Sequence, residues 1–298
     1  MSNTITLYKN HTYFISPMIK SSLGNNLFQI AAICSYAYDE NINYIIEDIG
    51  YTGSHKTFKN TTLCYLFPNL KCVNSHKYYW DLYECEYKKD NSDDIIPIKN
   101  NIKKKLRTKL IGTFISYKYF NHNREYILKL LDFNSDTKKI LIKYKSLFDN
   151  YTTVSVHIRR GDFIKNLHLK KWCLLGIDYY KQAFDLLSLQ KNIIFLFFYE
   201  DEESKQWILK NLIPLINNNK YKLISNLAHQ DMFLMSQCNH NIIANSTFSY
   251  WGAYLNNNDD RIIMAPASWK YEDSEIDIKR RFPPSWKIIQ SKCNLSLI

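Results

Sequence analysis

Two adjacent arginines stand out in a chain that draws nearly all of its positive charge from lysine. Arg159 and Arg160 lie in the run His157-Ile158-Arg159-Arg160-Gly161-Asp162, directly after the apolar stretch VSVHI. A guanidinium fork can hold two phosphate oxygens at once, whereas an ammonium offers a point charge. Ligands of open α/β sheets bind outside the carboxyl ends of strands, which is where these residues fall. Gly161 is one of seven glycines, so the loop needs either backbone freedom or a close approach at that position. A purely structural reading stays open beside this one, with one Arg paired to Asp162 so that the loop is pinned.

A second constellation, Asn245-Ser246-Thr247-Phe248-Ser249-Tyr250-Trp251-Gly252, also follows an apolar strand and opens a helix. Small hydroxyl and amide side chains with free N–H groups at a helix start make an anion site, although a Ser or Thr there is also an ordinary N-cap. Two such strand ends in one sheet could hold a diphosphate from both sides. In Gly24-Asn25-Asn26-Leu27-Phe28-Gln29, Gly24 permits a tight strand-to-helix turn, and Asn25 and Gln29 lie one helical turn apart. The acidic run Glu200-Asp201-Glu202-Glu203 could hold a divalent cation, but acidic residues at a first helical turn are favoured by the dipole anyway, and the capping role is preferred for most of them.

These residues require strand ends to carry them. Apolar periodicity predicts a strand over 13–19, a helix over 26–39 and a strand over 44–47, one βαβ unit. Short apolar pieces at 62–67, 78–80 and 111–116 have no evident pairing, and helices follow over 123–131 and 136–148, the second opening on Asn134, Ser135 or Asp136. From residue 153 the alternation is regular: strands at 153–158, 192–198, 221–224, 241–244 and 261–265, with helices at 178–189, 202–212, 229–238 and 247–255 between them. Continuously apolar strands separated by helices predict a parallel sheet covered on both faces, hence a doubly wound C-terminal domain over 121–298 behind a second α/β domain over 1–120.

A hydrophobic fraction of 46% excludes a disordered or fibrous chain, and the net charge of +11 is mostly scattered lysine in an Asn-, Ile-, Lys- and Tyr-rich composition. The one dense run, Lys99 to Lys109, lacks interleaved aromatics and reads as a loop or exposed helix face rather than a nucleic-acid site. Seven cysteines of irregular spacing, without a Cys-x-x-Cys pair, read as buried free thiols in a reducing compartment. The N-terminal residues lack a signal-peptide core and the longest apolar run, Ile193 to Phe198, is too short to span a bilayer, so a cytoplasmic protein is expected, with peripheral membrane contact still open.

Taken together, GNNLFQIAA, GTFISYKYF, VSVHIRRGDF, DYYKQAF, DMFLMSQCNHNIIANSTFSYWGAYL and WKII, in that order, resemble glycosyltransferase family 11, the α-1,2-fucosyltransferases. The resemblance implies a GT-B-like fold of two Rossmann-like domains facing across a cleft, GDP-fucose as donor, a galactose-terminated glycan as acceptor, inversion, and no required metal or other cofactor. It makes Arg159 the main diphosphate contact and Arg160 secondary or structural. His157 and Asp231 would help to hold the guanine, Ser246, Thr247, Phe248 and Ser249, with Asn245 before them, would line the donor pocket, and Gly24, Asn25 and Gln29 would face the cleft from the N-terminal domain. Family members often carry Phe-Ser-Asp-Asp where this chain has Phe198-Tyr199-Glu200-Asp201, which leaves the role of Glu200 open. The catalytic base is not named by these motifs; Asp162 is a weak candidate, because two neighbouring guanidiniums should depress its pKa. Other readings are the same fold with another GDP-sugar, acceptor or linkage, a non-catalytic glycan-binding protein, and a basic nucleic-acid-binding protein.

Overall fold

Residues 193–198 alternate their apolar side chains between two faces that are both covered, and this dictates the architecture of the C-terminal unit. The computed structural model describes residues 14–17, 22–47, 62–73, 81–84, 107–165, 172–187, 190–216, 220–271, 273–291 and 293. These fall into two compact units, with the division between Asp132 and Phe133.

The second unit opens with two short helices, α4 (Ser135–Lys138) and α5 (Ile140–Asn150), where one helix was expected; Asn134 caps the first by accepting from Thr137 N at 2.8 Å. Its strands and helices then alternate as β7 (Thr152–His157), α6 (Gly161–Lys165), α7 (Ile177–Asp185), β8 (Ile193–Phe198), α8 (Glu202–Asn211), β9 (Lys220–Ile224), α9 (Ala228–Gln237), β10 (His240–Ile242), α10 (Thr247–Tyr254), β11 (Ile263–Pro266), α11 (Glu275–Arg281) and β12 (Lys287–Ile289). The sheet is parallel throughout, in the order β12-β11-β10-β7-β8-β9. Phe195 and Phe197 pack with Val154, Val156, Tyr180, Phe184 and Ile208 on one face. Ile194, Leu196 and Phe198 pack with Tyr144, Leu234 and Met235 on the other. That two-sided burial is the doubly wound arrangement the apolar runs required. The periodicity missed α6, α11 and β12: α6 is five residues long and β12 three, with only one residue of β12 buried, so neither writes a period.

In the first unit β1 (Phe14–Pro17) leads to α1 (Leu23–Asp39). The expected helix starts three residues early, and Gly24 sits inside its first turn, buried, so the strand-to-helix turn assigned to Gly24 is incorrect. Thirteen of the seventeen residues of α1 are buried, because Leu27, Phe28, Ile30, Ala31 and Ile33 surround the helix rather than striping it. It ends at Asp39 with Glu40 as the cap, and Asn41 just beyond has a φ of 50°, the left-handed stop that Asn tolerates. The strand expected over 44–47 is two, β2 (Asn43–Tyr44) and β3 (Ile46–Glu47), in different sheets. After α2 (Leu63–Leu66), β4 (Cys72–Val73) pairs with β3, while β5 (Asp81–Glu84) and β6 (Arg107–Ile111) complete a parallel sheet of order β2-β1-β6-β5. Helix α3 (Arg124–Leu130) closes the unit, and the piece expected at 78–80 lies outside the described residues.

Two expectations fail in this unit because the side chains find partners that composition does not disclose. Lys109 is not a solvated lysine: it lies in β6 and is ion-paired with the buried Glu47. Cysteines 64 and 72 form a disulfide with Cα atoms 6.2 Å apart. In the second unit Cys173 and Cys293, 120 residues apart in sequence, form another with Cα atoms 5.0 Å apart. Both separations suit a disulfide. Free thiols are therefore wrong for these four, which removes the cysteine argument for a reducing compartment, while Cys34 and Cys238 are free and buried. Cys85 lies outside the described residues. Among the described residues, no helix is long and apolar enough to cross a membrane.

At the C-terminal end of β6, Gln29 Nε2 donates to Gly112 O at 2.8 Å, and Ser116 N donates to Phe114 O at 2.7 Å. Gln29 thus belongs to the wall that holds this loop, with Asn25 one turn before it on α1. Phe114 is buried with a φ of 50°, a conformation costly for a bulky side chain.

Candidate active site

β7 ends at His157, and the next residues carry the chemistry. Tyr180 on α7 donates from its hydroxyl to His157 O at 3.2 Å, fixing the strand end from which Arg159 and Arg160 depart. The two guanidiniums then diverge. Arg160 is 6% exposed and lies 4.1 Å above the ring centre of Trp207 on α8, with Nε and Nη1 lacking a hydrogen-bond partner among the described residues. Burial lowers its pKa, and the fields of Tyr180 and Glu203 oppose the shift. Cation–π contact and these fields replace its water. Arg159 keeps a partly open side chain, contacts the Phe163 ring from 5.7 Å and donates from Nη1 to Glu200 Oε2 at 2.6 Å.

The adjacent strand end supplies the acidic run. Asp201 caps α8 by accepting from Ser204 N at 2.8 Å, and Glu202 accepts from Lys205 and Gln206 on its own helix, which agrees with the capping role preferred for this run. Asp201 also explains Gly161: a Cβ there would lie 2.2 Å from Asp201 Oδ2. Of the two needs foreseen for Gly161, close approach is the one the structure shows, since the residue opens α6. The Asp162 side chain lies outside the described residues.

β10, on the other side of β7, brings the second constellation alongside. Phe248 meets the His157 ring with centroids 5.5 Å apart. Ser246 caps α10, accepting from Phe248 N at 3.3 Å, and Thr247 is the first helical residue. The buried Ser249 hydroxyl faces the carbonyls of Ala244 and Ser246 at 3.4 and 3.3 Å. Asn245 is 2% exposed and donates from Nδ2 to Cys173 O at 2.6 Å and Trp269 O at 3.0 Å, clamping three segments where α10 begins. Asp231, on α9, is placed differently from the rest: its carboxylate accepts from Asn226 N and from Asn226 Nδ2, the latter at 2.8 Å, so it organises the loop after β9, two strands from β7.

Glu200, Tyr180, Trp207 and Asp201 are the residues whose parts in this site the motifs did not disclose. The acidic run marked Glu200 and Asp201 without their partners, the DYYKQAF stretch marked Tyr180 without the carbonyl it holds, and nothing marked Trp207. Among the described residues no three His, Cys, Asp or Glu side chains are grouped as a metal site requires.

Burial pushes the His157 imidazole down to about 3, with the Arg159 guanidinium adding to the shift and Glu200 opposing it. Burial lowers His229 and His240 as well. Because the unfolded chain protonates these rings below about pH 6.5 and the fold does not, their stabilising contribution is complete above that pH. For His157 it is lost as the pH falls toward the folded value near 3, at up to roughly 1.4 kcal/mol per unit, and His229 and His240 act in the same direction. Asp231 has the opposite sign: burial lifts it to about 6, so it weakens the fold as the pH rises from about 4 to 6. With three imidazoles against one carboxyl, calorimetry should show Tm falling from pH 7 to pH 5, more steeply in Asp231→Asn. A Tm that is flat or higher at pH 5 contradicts buried neutral rings.

Residues 114–290 match the profile of Glycosyl transferase family 11. The chain belongs to glycosyl transferase family 11. The α10 constellation and the Arg159 loop both lie within that span, as does the Phe114 loop. Relatives include the "O-antigen biosynthesis glycosyltransferase WbnK" of Escherichia coli, 35% identical over 170 residues, 54% of this chain and 54% of that protein. The "alpha-1,2-colitosyltransferase" of Escherichia coli is 28% identical over 291 residues, 91% of this chain and 97% of that one. The "galactoside alpha-(1,2)-fucosyltransferase 1" of Rattus norvegicus is 27% identical over 197 residues, 60% of this chain and 50% of that one. The matches thus span about half the length of the first and third of these curated relatives and nearly all of the second.

Among solved structures, POFUT1 in complex with GDP-fucose aligns at a TM-score of 0.58 with 9% identity, over 87% of this chain and 98% of that one. Fucosyltransferase NodZ from Bradyrhizobium aligns at 0.51 with 13% identity, over 81% and 92%. At such identities the likeness concerns the fold alone, and the fold of this glycosyltransferase is GT-B-like α/β.

Proposed function

We propose that this family 11 glycosyltransferase moves fucose from GDP-fucose to the 2-hydroxyl of a terminal galactoside, with inversion and without a metal. The observation that carries the reading is the pairing of an open-sided Arg159 at the end of β7 with the α10 helix start at the end of β10, next to it in the sheet. Breaking the sugar–phosphate bond builds negative charge on the β-phosphate. A preorganised guanidinium and helix N–H groups placed there stabilise that charge without a divalent cation. Neutral His157 serves guanine recognition, Asp231 contributes through the loop it holds after β9, and Thr247 and Phe248 contribute to the donor pocket wall. The named activities of the relatives support the sugar class and the linkage. They also support a second reading, in which the sugar is colitose: the colitosyltransferase matches over 97% of its own length. Colitose lacks one hydroxyl of fucose, and a site that hydrogen-bonds that hydroxyl discriminates strongly against its loss.

Incubation of the protein with a labelled galactoside and GDP-fucose or GDP-colitose, with and without EDTA, separates the possibilities. The expected result is a product from GDP-fucose, undiminished by EDTA, whose linkage NMR assigns to O2 of galactose. Product from GDP-colitose alone would establish the second reading, a different linkage would replace the acceptor assignment, and loss of turnover in EDTA would remove the metal-free mechanism.

A further inference from the structure

The Arg159 guanidinium and the Glu200 carboxylate form an ion pair at the place where the donor reading puts an anion. We propose that Glu200 is a displaceable counter-anion: it holds Arg159 while the donor site is empty and yields it to the diphosphate. The proposal rests on the reading of Arg159 as the diphosphate ligand. Two consecutive arginines leave β7, and Arg160, 6% exposed, is stacked on Trp207, with no carboxylate at hydrogen-bond distance among the described residues. The buried His157 ring beside Arg159 is held neutral, so it adds no charge to the site. Glu200 supplies a carboxylate countercharge to the Arg159 guanidinium, 18% exposed, at the end of β7.

Glu200 is placed so that it can leave. It belongs to neither helix nor strand, standing between β8 and the α8 cap. Its neighbours in the acidic run are held elsewhere: Asp201 caps α8 through Ser204 N, and Glu202 is engaged with Lys205 and Gln206. The Glu200 side chain is 39% exposed against 18% for Arg159, so the carboxylate can rotate into water while the guanidinium stays. A carboxylate offers a guanidinium the same charge-assisted acceptor geometry as two phosphate oxygens, so the exchange replaces one anion by a more highly charged one at the same donor. Partly exposed ion pairs are weak, which keeps the exchange shallow.

The consequence is a pair of opposite effects that a merely structural residue would not produce. Glu200→Gln keeps shape and hydrogen bonding but removes the charge that competes with phosphate. GDP should bind about fivefold tighter by calorimetry, the KM for the donor should fall, and the Tm of the free protein should drop. Glu200→Ala should shift GDP binding in the same direction. GDP binding that is unchanged or weaker in both variants overturns the proposal, because it would mean that Glu200 orients Arg159 for the ligand or is indifferent to it. Wild-type protein and Arg159→Ala titrated in parallel keep the two readings apart. If wild type binds GDP and Arg159→Ala does not, the donor reading stands and the Glu200 variants alone decide the exchange. If both bind GDP equally, Arg159 is not the ligand, and the exchange falls with it.

Discussion

Arg159→Ala is expected to lower kcat/KM by about a thousandfold while leaving Tm within a few degrees of wild type. The magnitude is that of removing one preorganised donor from a developing oxyanion. The small effect on stability follows from position: the guanidinium lies beyond the carboxyl end of β7, and its carboxylate partner Glu200, at 2.6 Å, is 39% exposed. Exposed and half-exposed pairs contribute at most about 1 kcal/mol. Arg159→Lys should recover only a small part of the rate, since lysine restores charge without the planar fork. Steady-state kinetics with saturating acceptor test this, with thermal denaturation beside them. Activity within tenfold of wild type in Arg159→Ala removes Arg159 from the leaving-group site. By the same measurement Arg160→Ala should unfold at a lower temperature, because it empties the face of Trp207 inside the unit.

Gly161→Ala should be nearly as damaging to activity, through geometry rather than lost charge. The added Cβ would sit 2.2 Å from Asp201 Oδ2 and 3.3 Å from Asp201 Cγ, and the Asp201 side chain is short and anchored by Ser204 N at 2.8 Å. Either Asp201 turns away and α8 loses its cap, at about 1 kcal/mol, or the backbone from Arg159 to Gly161 retreats. A shift of about 1 Å in a phosphate-holding residue costs on the order of a hundredfold in rate. The expected result is therefore a kcat/KM reduced by about a hundredfold with a modest loss of Tm. The double variant Gly161→Ala with Asp201→Gly tests the cause, since glycine is an acceptable cap residue and removes the clash. Recovery of activity in the double variant locates the damage at this contact. No recovery, or a fully active Gly161→Ala, places the need for glycine elsewhere.

Much of the second unit is legible in the linear chain because its evidence is local. Six consecutive apolar residues in β8, bounded by polar ones, identify a strand buried on both faces without knowledge of its neighbours. The predicted ends of most elements from β7 to α10 fall within two or three residues of the observed ones, with the end of α7 further off. The first unit is less legible for a physical reason. Its α1 is buried on nearly all sides, which erases amphipathic period, and β2, β3 and β4 are two residues long, which is shorter than any period.

The sequence by itself determined the residue types that meet an anion and the strand ends that present them: Arg159, Arg160 and Gly161 after one apolar run, Asn245 to Ser249 after another. It also determined the parallel, doubly wound sheet, since continuous apolar strands have few other ways to be covered. Only the tertiary structure decided what each of those residues does. Arg159 pairs with Glu200, 41 residues away, and the His157 carbonyl accepts from Tyr180, 23 residues away. Asn245 reaches Cys173 across 72 residues, and Cys173 in turn is bonded to Cys293 across 120. Such pairings depend on strand order, here β10-β7-β8, and strand order follows from the whole chain's burial. Side-chain type and hydrophobic period are properties of a short window, whereas which arginine stays open and which is buried against Trp207 is settled only when distant elements pack.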